Sequence, residues 1–286
     1  MNVRVQNLRK EFGRTTAVDD ISFGFSQGHV FGFVGPNGAG KTTTMRILST
    51  LDEPTGGDAF VNGFSVTQDP EKVRKLIGFV PDALPQQGDI TVHEYLDFFA
   101  RSYGLRGKGR REALEGVEEF TRLTDLREKL LKALSKGMKQ RVSLARAMIH
   151  DPPVLIMDEP AAGLDPRARV ELRELLRLLA EQGKAILISS HILTELTEIC
   201  SGVVIIEQGR ILETGTLEEI LSKAAPLRTM VIRPLDNVER LQRDLLEFPL
   251  VQDVRIAGRE VLAEIDGDEE DCCDLLAEVL KRGYRV

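Results

Sequence analysis

The sequence has few cysteines, no long apolar run and no excess of positive charge, and each absence argues against a class of protein. The three cysteines, Cys200, Cys272 and Cys273, lack metal-binding spacing and two are adjacent, which argues against a disulfide framework and favours a reducing, cytoplasmic setting. No apolar run approaches the ~20 residues of a membrane-spanning helix, and the first residues show no apolar signal region. The net charge of −7 gives no strong field for nucleic acid or anionic lipid. We therefore expect any membrane role to depend on a partner.

Residues 35–43 fit the phosphate-binding pattern G-x-x-x-x-G-K-[ST]. An apolar run, Val30–Val34, precedes the pattern and helix-like residues follow it, which favours a phosphate loop over a glycine turn that merely caps a helix. Small residues let successive backbone N–H groups turn toward a phosphate, and the helix N-terminus adds its positive end. Lys41 can reach the β- and γ-phosphates, and the Thr42 hydroxyl can bind Mg²⁺. The predicted nucleoside triphosphate loop consists of Gly35, Pro36, Asn37, Gly38, Ala39, Gly40, Lys41, Thr42 and Thr43.

Two adjacent carboxylates, Asp158 and Glu159, follow the continuous apolar run at residues 153–157. Such a run is typical of a fully buried parallel strand, and α/β sheets place their ligands at the carboxyl ends of these strands. Beside a phosphate loop, Asp158 suits Mg²⁺ through water and Glu159 is placed to polarise an attacking water. The alternative is an acidic pair that only complements a helix dipole.

Phe12 is a lone aromatic residue in a polar turn between residues 3–8 and 21–25, two segments that alternate apolar and polar side chains. The alternation predicts half-buried strands of an antiparallel sheet beside the phosphate loop. Phe12 could stack on a purine ring with Val18 packed beside it, or it could cap the core of the small sheet. The spacing leaves both interpretations open.

The region from 84 to 150 has no convincing strand and predicts an inserted helical subdomain. Ser135 is a good N-cap for the helix that closes it. Periodic segments fall near residues 94–103, 111–123 and 127–134.

From residue 227 onward the pattern changes to strand, helix, strand, strand, helix and a short final strand at 284–286. That order matches a βαββαβ ferredoxin-like unit. The sequence therefore predicts a small α+β domain at residues 227–286.

Taken in order, these motifs resemble the nucleotide-binding domain of ATP-binding cassette (ABC) proteins over residues 1–222. Phe12 matches the family's adenine-stacking aromatic residue and residues 35–42 its Walker A loop. Residues 155–158 match the Walker B strand, residues 134–141 the signature segment and His191 the switch histidine. The resemblance implies an α/β P-loop NTPase of the ABC ATPase fold, with a mostly parallel sheet core, a small antiparallel subdomain and a helical subdomain at about 84–150.

The resemblance also implies the parts played by individual residues. In the family, two domains sandwich two ATP molecules head to tail, so the signature segment of one copy faces the γ-phosphate held by the other. The catalytic set would be Glu159 as base, His191 and Lys41. Phe12 and Val18 would join the loop residues in binding ATP, and Ser135, Gly137 and Asp165 would act in trans. Mg²⁺ would be held by Thr42, Asp158 and Asp82.

Two departures from the family pattern bear on function. The signature LSGGQ is replaced by Leu-Ser-Lys-Gly-Met at residues 134–138, and Asp82 stands where the family usually has the Q-loop glutamine. Both departures resemble bacterial ABC-2-type exporter ATPases, which pair with separately encoded membrane subunits and export drugs, lipids, polysaccharides or ions. The resemblance implies a homodimer on a membrane permease at the inner face of the cell membrane, with no nucleic acid partner.

The alternative is a soluble, non-transport cassette ATPase that acts on ribosomes or DNA. Translation-factor relatives carry two cassettes and a basic linker, and DNA-repair relatives carry a long coiled coil inside the cassette. This sequence has one cassette, net negative charge and no coiled coil between Walker A and Walker B. A small-molecule kinase built on the same loop is disfavoured by the signature segment.

Overall fold

The computed structural model describes residues 2–82, 89–223, 228–235 and 237–286. The chain divides into two compact units, Met1–Ile220 and Leu221–Val286. In chain order, the elements up to the division are β1 (Val3–Phe12), β2 (Thr15–Phe25), β3 (Val30–Val34), α1 (Lys41–Leu48), β4 (Gly56–Val61), β5 (Phe64–Ser65), α2 (Pro70–Leu76), β6 (Ile77–Val80), α3 (Val92–Ser102), α4 (Gly107–Phe120), α5 (Lys136–Met148), β7 (Val154–Met157), α6 (Pro166–Glu181), β8 (Ala185–Ser190), β9 (Gly202–Glu207), β10 (Arg210–Thr216) and α7 (Leu217–Lys223).

A six-stranded sheet in the order β10-β9-β3-β8-β7-β6 forms the centre of the first unit. All of its pairs are parallel except the hairpin of β9 and β10. Every residue of β7 and β8 is buried, because a parallel sheet is covered on both faces. The carboxyl ends of β3, β6, β7 and β8 lie along one edge, and the predicted site residues follow these ends. The mostly parallel α/β core is therefore confirmed.

Alternate side chains of the central strands pack into two separate apolar layers, one on each face of the sheet. Ile156 and Leu187 pack on one face with α1 and the antiparallel sheet, whereas Leu155 and Ile186 pack on the other face with α5 and α6. This division follows the two-residue period of a strand. The predicted antiparallel sheet is present, with the order β2-β1-β4-β5.

Helices α3, α4 and α5 enclose a third apolar core that includes Tyr95, Leu114 and Val142. The periodicity prediction for residues 127–134 is wrong, since only a 3₁₀ turn at Leu131–Ala133 forms there. The carbonyls of this segment accept hydrogen bonds from the start of α3 instead: Val92 N–H donates to Lys129 O at 3.0 Å and His93 N–H donates to Arg127 O at 3.0 Å. Residues 84–88 of the predicted insertion lie outside the described ranges.

The second unit contains β11 (Arg228–Ile232), α8 (Val238–Leu245), β12 (Val251–Ala257), β13 (Glu260–Ile265) and α9 (Glu269–Lys281). Its antiparallel sheet has the order β11-β13-β12, and both helices contribute to its core. The prediction of a final strand at 284–286 is wrong for the described residues. Tyr284 is buried there, and its hydroxyl donates to Asp244 Oδ2 at 2.6 Å, so a contact with α8 holds the segment instead of a strand ladder. Residues 227 and 236 of the predicted domain lie outside the described ranges.

Among the helices of the described ranges, none has both the length and the apolar character that crossing a membrane requires.

Candidate nucleotide-binding and hydrolysis site

The loop after β3 requires glycine at two positions for steric reasons. A β-carbon on Gly35 would lie 2.1 Å from Ile206 O, and one on Gly40 would lie 2.5 Å from Ala17 O. Gly40 also has a φ of 104°, which favours glycine, and it immediately precedes α1. The loop therefore turns tightly between the strand and the helix, at the end of α1 whose first N–H groups have no partner within the helix.

Lys41 folds back across this loop and is almost fully buried. Its Nζ donates to Gly35 O at 2.6 Å and to Pro36 O at 3.2 Å. The same Nζ lies 3.4 Å from Glu159 Oε1. Two carbonyls and one carboxylate thus hold the ammonium group at the mouth of the phosphate loop.

Asp158 and Glu159 follow β7, as the sequence predicts, and the end of β8 holds both. Asp158 N–H donates to Val80 O at 2.8 Å, and Ser189 Oγ donates to Asp158 Oδ1 at 2.7 Å. Glu159 N–H donates to the same Ser189 Oγ at 2.8 Å. Glu159 has a φ of 45°, a left-handed conformation that is uncommon outside glycine. The chain therefore reverses its direction sharply after the strand.

His191 follows β8 and contacts the second oxygen of Glu159. Its Nδ1 lies 2.9 Å from Glu159 Oε2. Because a carboxylate only accepts hydrogen bonds, Nδ1 carries the proton in this contact. Glu159 thus lies between Lys41 and His191, and the three predicted catalytic residues form one continuous polar chain.

A second set of contacts holds the segment around His191. Ser190 Oγ accepts from Ile192 N–H at 3.0 Å and donates to Glu195 Oε2 at 3.1 Å. The other oxygen, Glu195 Oε1, pairs with Arg169 Nη1 at 3.2 Å. Arg169 lies in the first turn of α6, so the histidine segment is bonded to that helix.

The phosphate loop and the acidic residues share one cavity of about 330 Å³. The three predicted metal-binding residues, Thr42, Asp82 and Asp158, all line it, as does Glu159. Within the described ranges, no three His, Cys, Asp or Glu side chains are close enough to hold a metal by themselves. The full lining consists of Ala17, Asn37, Gly38, Gly40, Lys41, Thr42, Thr43, Asp82, Asp158 and Glu159.

Phe12 and Val18 occupy different environments. Phe12 is 50% exposed at the end of β1, with Lys10 Nζ 4.8 Å from its ring centroid, so it does not cap the core of the small sheet. Val18, expected to pack beside Phe12 at the nucleotide, is instead fully buried and approaches Gly40 from within the core. Nearby, a hydrogen bond of 2.7 Å from Lys10 lowers the pKa of Asp52 below its usual range.

The signature segment lies against the loop that opens α6. Ser135 caps α5 by accepting from Met138 N–H at 3.3 Å, and Asp165 caps α6 by accepting from Ala168 N–H at 2.9 Å. A β-carbon on Gly137 would lie 3.2 Å from Ala168 Cβ. Ser135, Gly137 and Asp165 do not line the cavity, and Gly137 lies against Ala168 in the first turn of α6.

Four residues with clear contacts at the site were missed by the sequence reasoning: Arg169, Ser189, Ser190 and Glu195. The one available signal for Ser189 and Ser190 was their position, because they are two polar residues at the end of the otherwise apolar β8, directly before His191. Glu195 and Arg169 carried no local signal, because their pairing joins segments far apart in the sequence.

Comparison with known proteins agrees with this geometry. A model of the ABC transporter family matches residues 18–162, which include the phosphate loop and the acidic pair. The Nod factor export ATP-binding protein I of Ralstonia nicotianae is 39% identical over 218 residues, covering 76% of this chain and 68% of that protein. The linearmycin resistance ATP-binding protein LnrL of Bacillus subtilis is 35% identical over 222 residues, covering 77% of this chain and 71% of that protein.

Solved structures show the same likeness. The ATP-binding subunit of an ABC transporter superposes with a TM-score of 0.71 at 31% identity, covering 78% of this chain and 93% of that one. The dimeric ATP-binding cassette MJ0796, bound to ADP and Pi, superposes with a TM-score of 0.68 at 25% identity, covering 75% of this chain and 98% of that one. This chain belongs to the ABC transporter family, as an ATP-binding domain that hydrolyses ATP.

Proposed function

We propose that this chain is the ATP-hydrolysing subunit of an exporter and drives transport through a separately encoded membrane permease. The observation that carries the ATP-hydrolysing part of the proposal is the single cavity in which the phosphate loop, Asp82, Asp158 and Glu159 meet. The name of the Ralstonia nicotianae relative, an export ATP-binding protein, supports the direction of transport.

The donor set fits ATP with Mg²⁺. Thr42, Asp82 and Asp158 offer hydroxyl and carboxylate oxygens, the ligands that Mg²⁺ prefers, and Mg²⁺ usually completes its shell with substrate phosphates and water. When bound, the ion would neutralise phosphate charge. Lys41 would bind the phosphates, and Phe12, half-exposed at the end of its strand, is available to stack on the adenine.

The hydrolytic step would use the polar chain described above. Glu159 takes a proton from the water molecule whose oxygen attacks the γ-phosphorus, while the bond between that phosphorus and the bridging oxygen breaks and ADP leaves with the electron pair. The contact of His191 with the second carboxylate oxygen keeps Glu159 oriented. Lys41 stabilises the charge that develops on the transferred phosphoryl group. The contact with His191 therefore keeps the base oriented while Lys41 is engaged by the phosphates.

A second copy of the chain would complete the site. Ser135, Gly137 and Asp165 lie outside the cavity lining, as expected of groups that act on the nucleotide held by a partner. The dimeric form of MJ0796 supports this arrangement. We infer that the dimer is peripheral to the inner face of the cell membrane and held there by the permease.

The proposal is tested by affinity capture of the tagged chain from detergent-solubilised native cells, followed by mass spectrometry. An unrelated tagged protein from the same cells serves as the control. We expect a stoichiometric polytopic membrane protein to accompany the chain. Recovery of ribosomal or DNA-associated proteins instead would refute the transport function and leave ATP hydrolysis intact.

A further inference from the structure

One buried hydroxyl joins both acidic residues of the site. Ser189 is 1% exposed near the end of β8. Its Oγ donates to Asp158 Oδ1 at 2.7 Å and accepts from Glu159 N–H at 2.8 Å. These directions are fixed by chemistry, since a carboxylate can only accept and a backbone N–H can only donate. We propose that Ser189 is a positioning residue of the hydrolytic site, which sets the side chain of Asp158 and the backbone of Glu159 together.

The backbone at Glu159 requires such support. Its φ of 45° is a conformation that a non-glycine residue keeps only when surrounding contacts impose it. Ser189 Oγ supplies one of these contacts, because it accepts the N–H that the turn directs toward β8. The direction of the Glu159 side chain, and hence its reach to Lys41 and His191, follows from this backbone.

The two hydrogen bonds are not a simple consequence of burial. Ser143 is equally buried at 1% exposure, and its Oγ has no hydrogen-bond partner. The rest of β8 before the two serines is Ala-Ile-Leu-Ile, so an apolar side chain would suit the packing at position 189. A hydroxyl at this position is explained by the two polar groups that it joins.

The inference rests on the proposed roles of Asp158 and Glu159. Ser189 itself belongs neither to the phosphate loop nor to the residues that would bind the metal. Because Ser189 does not line the cavity, it has no place among the groups that would touch ATP. Its loss should therefore change the rate of hydrolysis far more than the affinity for nucleotide.

The test is Ser189→Ala, measured as basal ATPase activity of the full chain without any membrane protein. We expect kcat to fall about 10-fold to 100-fold, the scale of a small misplacement of a reacting group. The Kd for a non-hydrolysable ATP analogue should change less than about threefold, since Lys41 and the loop keep their contacts. Ser189→Thr retains the hydroxyl and should recover most of the lost kcat.

The control is Ser143→Ala, which deletes an equally buried hydroxyl that bonds to nothing and should keep the kcat of the unmodified protein. Melting temperatures establish that each variant is folded. A folded Ser189→Ala protein with unchanged kcat, or with kcat and affinity lost in parallel, would overturn the proposal. So would a folded Ser189→Thr protein that is as slow as Ser189→Ala.

Glu159→Gln, measured in parallel, separates this inference from the proposed function. A fully active Glu159→Gln protein would refute the assignment of the base itself. An inactive Glu159→Gln protein beside a fully active Ser189→Ala protein would refute only the role of Ser189.

Discussion

Replacing Glu159 by glutamine should slow hydrolysis and at the same time tighten ATP binding. In this structure the carboxylate lies 3.4 Å from Lys41 Nζ, the group that is expected to bind the phosphates. ATP and Glu159 therefore compete for one ammonium group. Glutamine keeps the shape of the side chain but removes its charge, so the competition ends and the base is lost in one change.

The geometry gives the size of both effects. A unit charge pair at 3.4 Å attracts by about 5 kcal/mol at an effective dielectric constant of about 20. Desolvation of two largely buried side chains offsets most of this attraction. A residual of about 1.4 kcal/mol corresponds to a roughly tenfold lower Kd for ATP. Loss of a general base lowers kcat by about 10² to 10⁴.

The assay pairs isothermal titration with a non-hydrolysable ATP analogue and a steady-state phosphate-release measurement. Size-exclusion chromatography in ATP should show the variant accumulating as a dimer. Glu119→Gln, a substitution on the exposed side of α4, is the matched control and should change neither constant. Turnover near that of the unmodified protein would remove Glu159 from the base role, and weaker nucleotide binding would refute the competition with Lys41.

Three further perturbations test other parts of the structure. Asp82→Ala should raise the Mg²⁺ concentration needed for half-maximal ATPase activity, because a carboxylate that lines the cavity is lost; identical Mg²⁺ titrations would exclude Asp82 from the metal site. Asp52→Asn should lower the free energy of unfolding at pH 7 by about 1 kcal/mol, since its charged hydrogen bond to Lys10 is weakened. The pKa of Asp52 is lowered in the folded state, so this stabilisation is present above the unfolded pKa and lost as the pH falls through the folded one. Urea unfolding should therefore show a smaller difference between the two proteins at pH 3 than at pH 7. Gly116→Ala lies inside α4, where a β-carbon would meet nothing within 4 Å, and should raise the free energy of unfolding by about 0.5–1 kcal/mol. A lower urea midpoint in that variant would contradict the conclusion that a β-carbon fits at position 116 without a clash.

The parts of the site that the sequence predicted are those encoded by neighbouring residues. The phosphate loop is a contiguous pattern, and Asp158 and Glu159 directly follow a run whose apolar character alone indicates a buried strand. Because these residues and His191 each follow the carboxyl end of a predicted strand, the sequence alone predicts that they lie at the same edge of the sheet.

What the sequence did not predict depends on contacts between distant segments. Residues 127–134 have helical periodicity, but their carbonyls accept hydrogen bonds from the start of α3, and periodicity carries no information about that pairing. Val18 lies in a strand whose alternation directs it into the core. Ser189 and Glu159 are bonded across 30 residues of sequence, which only the register of β7 against β8 could reveal.

The bond between Arg169 and Glu195 has a mechanical consequence. The first turn of α6 begins at Asp165, and Glu195 joins that turn to Ser190, the neighbour of His191. Any displacement of the start of α6 must therefore either carry the histidine with it or break this connection. The start of α6, where Asp165 lies, is thus mechanically coupled to the segment that carries His191.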